Sequence, residues 1–341
     1  MARINGMNGT KRITIQDIAK HAAVSISTVS RVLNGTVVVA EPKRNAVMRA
    51  VDHLGYKPNV FAKGLASGQS MTIGVLTQNI SSPFYDAILR GVLQGLRGSR
   101  YSPIIVDGHW QPKKEQKAIE ALTTRRVDGL VVLGGRSCST FFDELAKQTP
   151  LILIGRNVPN LSTQCLLMSN EQGGYDATQH LINLGHRQIA HITGILSHQD
   201  AIDRQNGYKR ALMEAGLQSY QDLVVEGRFS EQSGVLAVEM LLMRGRSFSA
   251  IFAANDQMAY GARLALFRRG IRVPEDVSIV GYDDQPTSAY MIPPLTTVRH
   301  PANEIGRTAA TAILNLMKDK HQQIEPFAAE LIIRESTAML R

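Results

Sequence analysis

The spacing of apolar residues divides the chain into two regimes, and the change falls near residue 70. Before it, the period is helical and the segments are short. Ile15, Ile18, Ala19 and Ala22 recur at helical spacing, Val24 falls in a turn, and Val29, Val32 and Leu33 give a second helix its buried side. Ser25 stands where that helix needs an N-cap. Ala46, Val47, Ala50, Val51 and Leu54 repeat the period within 41–54 and complete a three-helix unit. Gly55-Tyr56-Lys57-Pro58-Asn59 then interrupts it, because Pro58 disfavours helix in the residue before it. Asn59 is placed to cap a further short helix over 60–67, ahead of the flexible Ser67-Gly68-Gln69-Ser70.

After residue 70, short apolar runs at 72–77, 103–107, 129–133, 151–155, 189–193, 250–254 and 278–282 alternate with amphipathic segments such as 87–96 and 259–269. Strand and helix in alternation predict parallel sheets covered by helices on both faces. A body of about 270 residues exceeds one comfortable core, so two subdomains are expected.

Charge separates the same two regions. Residues 1–70 carry ten Lys/Arg against three Asp/Glu, so +7 of the formal +9 lies in the first fifth of the chain. A basic module on a near-neutral body suits phosphate binding, since counterion release makes basic side chains the main source of non-specific DNA affinity; a merely solvated basic face is the plainer reading. Ile26, Ser27, Thr28, Ser30 and Arg31 lie on the side of the second helix opposite its apolar face, where they can enter a major groove. The sequence holds no Gly-x-Ser-x-Gly, no phosphate-cradling Gly-x-x-x-x-Gly-Lys-Ser/Thr and no His-Glu-x-x-His, and its nine histidines do not cluster at ligand spacing. Cys138 and Cys165 stand without a second pair, which suggests reduced thiols and neither a zinc site nor a disulfide framework. No enzyme, metal or cofactor is expected. Residues 1–12, with Arg3, Lys11 and Arg12, lack the apolar core of a secretory signal, and no stretch approaches 18 apolar residues; a cytoplasmic protein with a disordered basic arm and no membrane partner is the expectation.

Thr28-Val29-Ser30-Arg31-Val32-Leu33-Asn34, Gly55-Tyr56-Lys57-Pro58-Asn59 and Ala62 with Leu65-Ala66 occur in order. Through them the chain resembles the lactose-repressor/galactose-repressor (LacI/GalR) family of bacterial transcription regulators. The resemblance implies that Ile26, Ser27 and Arg31 read bases, that the linker becomes a hinge helix in a homodimer, and that Leu65 wedges into the minor groove of a palindromic operator. Thr14, Ser25, Thr28, Ser30, Asn34, Tyr56, Asn59 and Ala62 complete the implied DNA-contact set. The chain departs from the family pattern at Ala23, where a turn glycine is usual, at Ala40, where a capping serine is common, at Lys43 in place of a threonine, and at Gly64 inside the hinge helix.

The body resembles the periplasmic sugar-binding fold of the same family through Leu184-Gly185-His186-Arg187-Gln188-Ile189-Ala190, Ala254-Asn255-Asp256-Gln257-Met258-Ala259, Val280-Gly281-Tyr282-Asp283-Asp284 and Pro293-Pro294-Leu295-Thr296-Thr297-Val298. The implied organisation is a basic arm over 1–12, a headpiece over 13–57, a hinge over 58–70 and an effector-binding and dimerisation domain over 71–341. Within that domain, one subdomain takes 71–169 plus 301–330 and the other takes 170–300. Ligand is implied in the cleft between them, where Arg204 matches the family's ligand-gripping arginine and Asp256 its acceptor counterpart. Phe84, Tyr85 and Phe229 align as an apolar floor, His198 and Asp200 are placed to tune which hydroxyl pattern is accepted, and Arg156 lines the cleft or bridges the subdomains. The alternatives are a structural ion pair for Arg204 and Asp256, core roles for Phe84 and Tyr85, and a surface histidine at 198; His186 reads as structural. A sugar inducer is the implied effector, and a purine-responsive corepressor is the nearer rival. A transport or enzymatic sugar-binding module is more distant.

Overall fold

A computed structural model describes residues 13–34, 39–56, 69–320 and 323–340. Residues 1–70 and 71–341 form two compact units.

In the first unit, α1 (Ile15–His21) begins at Thr14, whose hydroxyl accepts from the Asp17 amide while the Asp17 carboxylate accepts from the Thr14 amide at 2.8 Å. This reciprocal pair satisfies donors that the first helical turn leaves without partners. The turn after α1 places Ala23 at φ +51°, the left-handed region that favours glycine. Ser25 caps α2 (Ile26–Asn34), its Oγ accepting from the Thr28 amide at 3.2 Å. In α3 (Glu41–Leu54), Ala40 provides no side-chain cap and Pro42 sits in the first turn instead. Ile18, Val29 and Val47, all fully buried, join the three helices in one small core. The expected hinge helix, with Asn59, Ala62 and Leu65, and the basic arm lie outside the described residues.

The second unit holds two sheets. The first has strand order β2-β1-β3-β4-β5, from β1 (Thr72–Thr77), β2 (Ser102–Asp107), β3 (Gly129–Leu133), β4 (Leu151–Ile154) and β5 (Cys165–Leu166), all parallel. α4 (Pro83–Gly95) and α11 (Ala302–Leu316) cover one face through Ile88, Val92, Ile305, Ala309 and Ile313; α5 (Pro112–Thr124) and α6 (Ser139–Ala146) cover the other through Ile119, Leu122 and Phe142. β3 is buried along its whole length, as a strand with helices on both sides must be.

The second sheet has order β11-β10-β9-β8-β6-β7, from β6 (Ile189–Thr193), β7 (Val224–Glu226), β8 (Ala250–Ala253), β9 (Ser278–Tyr282), β10 (Thr296–Arg299) and the antiparallel β11 (Glu330–Ile332). α7 (Asn170–Asn183) and α8 (Gln199–Glu214) cover one face, and α9 (Glu231–Met243) and α10 (Asp256–Arg268) the other. Residue 330, the last of the first subdomain in the sequence reading, is instead the first of β11 in the second sheet, because its strand pairs with β10. Residues beyond β11 also belong there: the Ile279 amide donates to the Ser336 carbonyl, and the Leu340 amide to the Leu184 carbonyl. The chain crosses between the subdomains after β5, after β10 and before β11. Met168 and Phe327, on two of these crossings, form a β-bridge.

Candidate functional site

The first unit presents a short polar helix face. Along α2, Ser25, Ile26, Ser27 and Arg31 are exposed, Thr28 and Ser30 half-buried, and Val29 fully buried. Ile26 is 47% exposed at the first residue of the helix, a position no core argument explains. The Ser25 Oγ also lies 2.8 Å from that of Ser27 and 2.9 Å from the hydroxyl of Thr28, so the hydroxyls at the helix start are pre-arranged by one another. Thr14 stands at the start of α1, where its hydroxyl donates to Asp17 at 2.7 Å within the cap. Tyr56 is half-buried against the three-helix core. Asn34 ends α2, and its side chain lies outside the described residues.

In the second unit, the carboxyl ends of the parallel strands of both sheets face a cleft, the usual place for a ligand in open α/β sheets. Arg204, on α8, is the central group. Gly174 and Gly207 bring α7 and α8 into backbone contact; a Cβ on Gly174 would lie 2.3 Å from the Arg204 carbonyl oxygen. The Arg204 Nε donates to Asn170 Oδ1 at 3.0 Å, its Nη1 donates to the Ala254 carbonyl at 2.5 Å, and the guanidinium lies 3.8 Å over the Tyr282 ring. Asp283 Oδ1 is 3.5 Å from Nη1. Burial opposes the Arg204 charge, but Asp283, Tyr282 and Asp200 hold it above the ordinary arginine value.

The partner carboxylate differs from the expected one. Asp256 is fully buried and spent: Oδ2 accepts from the Gln285 amide at 2.7 Å and the Ser288 hydroxyl at 2.6 Å, and Oδ1 accepts from Thr297 at 2.5 Å. It turns inward because Gly281, on β9, leaves it room; a Cβ there would stand 2.3 Å from Asp256 Oδ1. Asp256 therefore braces the β9–β10 corner, and the carboxyl group that lines the cleft beside Arg204 is that of Asp283. Asp283 adopts φ +102°, its Oδ1 makes no hydrogen bond, and burial pushes its carboxyl up to about 8 despite Arg204. Burial pushes Asp256 up to about 7 against its three hydrogen bonds. Asn255, the N-cap of α10, faces the cleft beside them and donates to the Phe229 carbonyl at 3.2 Å.

Aromatic rings make the walls. Phe84 and Tyr85 occupy the first turn of α4, which starts four residues earlier than the amphipathic pattern indicates; Phe84 packs in the core and borders the cleft at once. Phe229, at φ +58°, lies over Gly194 with no space between. Burial raises the Tyr85 phenol well above its ordinary value, with Asp200 adding to it. His198 is 3% exposed rather than a surface residue, and burial lowers its imidazole, opposed by Asp200 and reinforced by Arg136. Asp200 is half-buried at the start of α8. Arg156 lines the cleft and does not bridge the subdomains; its fork donates to the Gly135 carbonyl and, at 2.6 Å, to that of Ser137, both in its own subdomain. His186 is structural, its Nδ1 2.9 Å from Ser249 Oγ and its Nε2 3.1 Å from the Ala338 carbonyl oxygen.

Two spaces lie between these walls. A cavity of about 670 Å³ is lined by Tyr85, Trp110, Arg136, Arg156, Asp200 and Asp203 among others, and a chamber of about 60 Å³ by Phe84, Trp110, Arg204, Phe229, Asn255 and Asp283 among others. Trp110, Asn255 and Asp283 are absent from the sequence-based set. Asn255 and Asp283 lie within motifs already singled out, one residue or one motif away from Asp256; Trp110, the sole tryptophan, sits in a loop without a periodic signal.

A three-helix unit with an exposed polar recognition helix, joined to a two-subdomain α/β body with a polar cleft, defines a DNA-binding regulator with a ligand-binding body. Residues 14–59 match the family described as bacterial regulatory proteins, lacI family, and residues 178–337 match a periplasmic binding protein-like domain. The chain is 36% identical to the ribose operon repressor of Haemophilus influenzae over 96% of its own length and 99% of the relative's. It is likewise 36% identical to the HTH-type transcriptional repressor PurR of Aliivibrio salmonicida, over 96% and 99%. Among solved structures, a lac repressor dimer bound to operator and the anti-inducer ONPF superposes with a TM-score of 0.88 at 30% identity, covering 96% of this chain and 100% of that one. The chain belongs to the lacI family of bacterial regulatory proteins. It is a DNA-binding transcriptional repressor with an effector-binding body, and not an enzyme.

Proposed function

We propose that the chain works as a cytoplasmic homodimer that occupies a palindromic operator and releases it when a carbohydrate binds in the cleft. The observation that carries the carbohydrate reading is the Arg204–Asp283 pair with Asn255 between aromatic walls. Such a site offers forked donors and a carboxyl group to hydroxyl groups, and flat apolar surfaces to the C–H face of a sugar ring. A purine is the second reading, supported by the PurR relative and by the same aromatic rings, which stack equally well on a base.

The homodimer reading is supported by α9 and α10. They pack on each other and leave Leu236, Met243, Leu264 and Phe267 exposed, Phe267 by 77%, apolar side chains that a partner subunit can cover. DNA reading implies the cytoplasm, and no helix among the described residues is long and apolar enough to cross a membrane.

The test is thermal unfolding of the full chain with D-ribose, D-galactose, cellobiose, ribose 5-phosphate and hypoxanthine, alongside Arg204→Ala and Asp283→Ala. A ligand at about a hundred times its dissociation constant adds roughly 2.7 kcal/mol of stability. Stabilisation by a neutral sugar, absent in both variants, is the expected result. Stabilisation by hypoxanthine replaces the sugar reading with the purine one. Operator DNA selected from a random duplex pool then shows the direction of the switch: a hit that raises operator affinity makes the ligand a corepressor.

A further inference from the structure

The cleft is bridged by one contact between rings of opposite subdomains. Trp110, in the turn between β2 and α5, stacks on His198, the residue before α8, with ring centroids 3.8 Å apart and planes 16° from parallel. Nothing fits between rings at that separation. Phe229 lies behind His198 at 6.0 Å, and Tyr85 beside Trp110 at 6.0 Å.

The chamber beside this contact, which Trp110 lines, is narrow for the chemistry it contains. Arg204, Asn255 and Asp283 line about 60 Å³, room for about four to six waters. Asp283 Oδ1 and His198 Nδ1 are both buried without a hydrogen-bond partner. Buried polar atoms are ordinarily satisfied, and of these two Asp283 lines the chamber, where its Oδ1 is an acceptor that a bound molecule can satisfy.

Trp110 is also held in place at the expense of the backbone. His109 and Trp110 are successive non-glycine residues at φ +52° and +56°. The Trp110 amide donates to Gln78 Oε1 at 3.0 Å, and a Cβ on Gly134 would come within 3.0 Å of the far edge of the indole. The indole is half-buried, so core packing alone does not account for this scaffolding. Trp110 borders both the large cavity and the small chamber, which makes it the wall between them.

We propose that the Trp110–His198 stack is a gate across the effector site: an entering effector ring separates the pair, and Trp110 thereby selects which molecules are admitted. The proposal rests on the cleft being the effector site. The gate itself is testable without an effector.

Trp110 is the only tryptophan, so emission excited near 295 nm reports the gate alone in the full-length chain. Acrylamide quenching should rise at least twofold in His198→Ala and stay near the wild-type value in His198→Phe, which keeps a ring in the stack. Quenching unchanged in His198→Ala overturns the gate. Should that variant not fold, Trp110 quenching in His198→Gln decides by the same criterion. On selected operator DNA without effector, Trp110→Ala should shift affinity at least threefold and Trp110→Phe much less. Equal affinity for wild type and Trp110→Ala overturns the link between gate and switch. If quenching behaves as described but every ligand-induced thermal shift survives in Arg204→Ala and Asp283→Ala, the gate stands and the effector reading of the cleft fails.

Discussion

Replacing Asp283 by asparagine changes how the stability of the body depends on pH, and the direction follows from burial. The Asp283 carboxyl titrates at about 8 in the folded chain against an ordinary value of 3.8. Between these values the folded state holds a proton that the unfolded state has released. Stability therefore falls as pH rises through that window, by as much as about 1.4 kcal/mol per pH unit. Over the two units from about pH 5 to about pH 7 this amounts to a fall of about 1–3 kcal/mol. The asparagine side chain carries no such proton. Urea unfolding of the two proteins across this range should give curves that converge or cross, with the variant gaining about 1–3 kcal/mol on the wild type as pH rises. His180, His186, His191, His198 and His300, all lowered by burial, favour the folded state increasingly as pH rises through their ordinary range, but they contribute to both proteins and cancel. The absolute offset between the curves carries the cost of leaving Arg204 without its partner and is not the readout. Parallel curves would refute the reasoning, for they would mean that Asp283 is ionised in the fold and already compensated.

Arg31→Ala should weaken specific operator binding by about 1–3 kcal/mol and leave non-specific binding much less affected, as titration with operator and scrambled duplexes measures; equal losses reduce Arg31 to a phosphate contact. Ala23→Gly relieves a left-handed alanine and should raise the local stability of the three-helix unit by about 0.5–1 kcal/mol, read as slower amide exchange in α1–α3; unchanged exchange means that the turn relaxes without it. Gly174→Ala forces α7 from α8 at the Arg204 backbone and should cost about 1–3 kcal/mol, with the loss of any ligand-induced thermal shift, whereas an unaffected melting temperature would show that the two helices slide freely.

The architecture was legible because parallel strands covered on both faces are almost wholly apolar, and β1, β3, β6 and β9 stand out on that ground alone. β5, with two residues, and β7, with three, are too short to show a period. The start of α4 was hidden because Pro83 and two aromatics suit a loop as well as a first turn, although proline is at home there. Arg204 was legible from its motif. The choice between Asp256 and Asp283 was not, since it depends on a left-handed backbone at Asp283 and on the space under Gly281, neither of which leaves a periodic trace. Trp110 was invisible for a related reason: its partner lies 88 residues away on the other subdomain.

The three crossings between the subdomains restrict what kind of signal the body can send. A single connecting strand would let the halves swivel and slide as well as tilt. Three crossings, two of them tied together at Met168 and Phe327, are expected to resist torsion and translation more than bending. If effectors bind in this cleft as proposed, molecules that prop it to the same angle should be equivalent in their effect on operator binding.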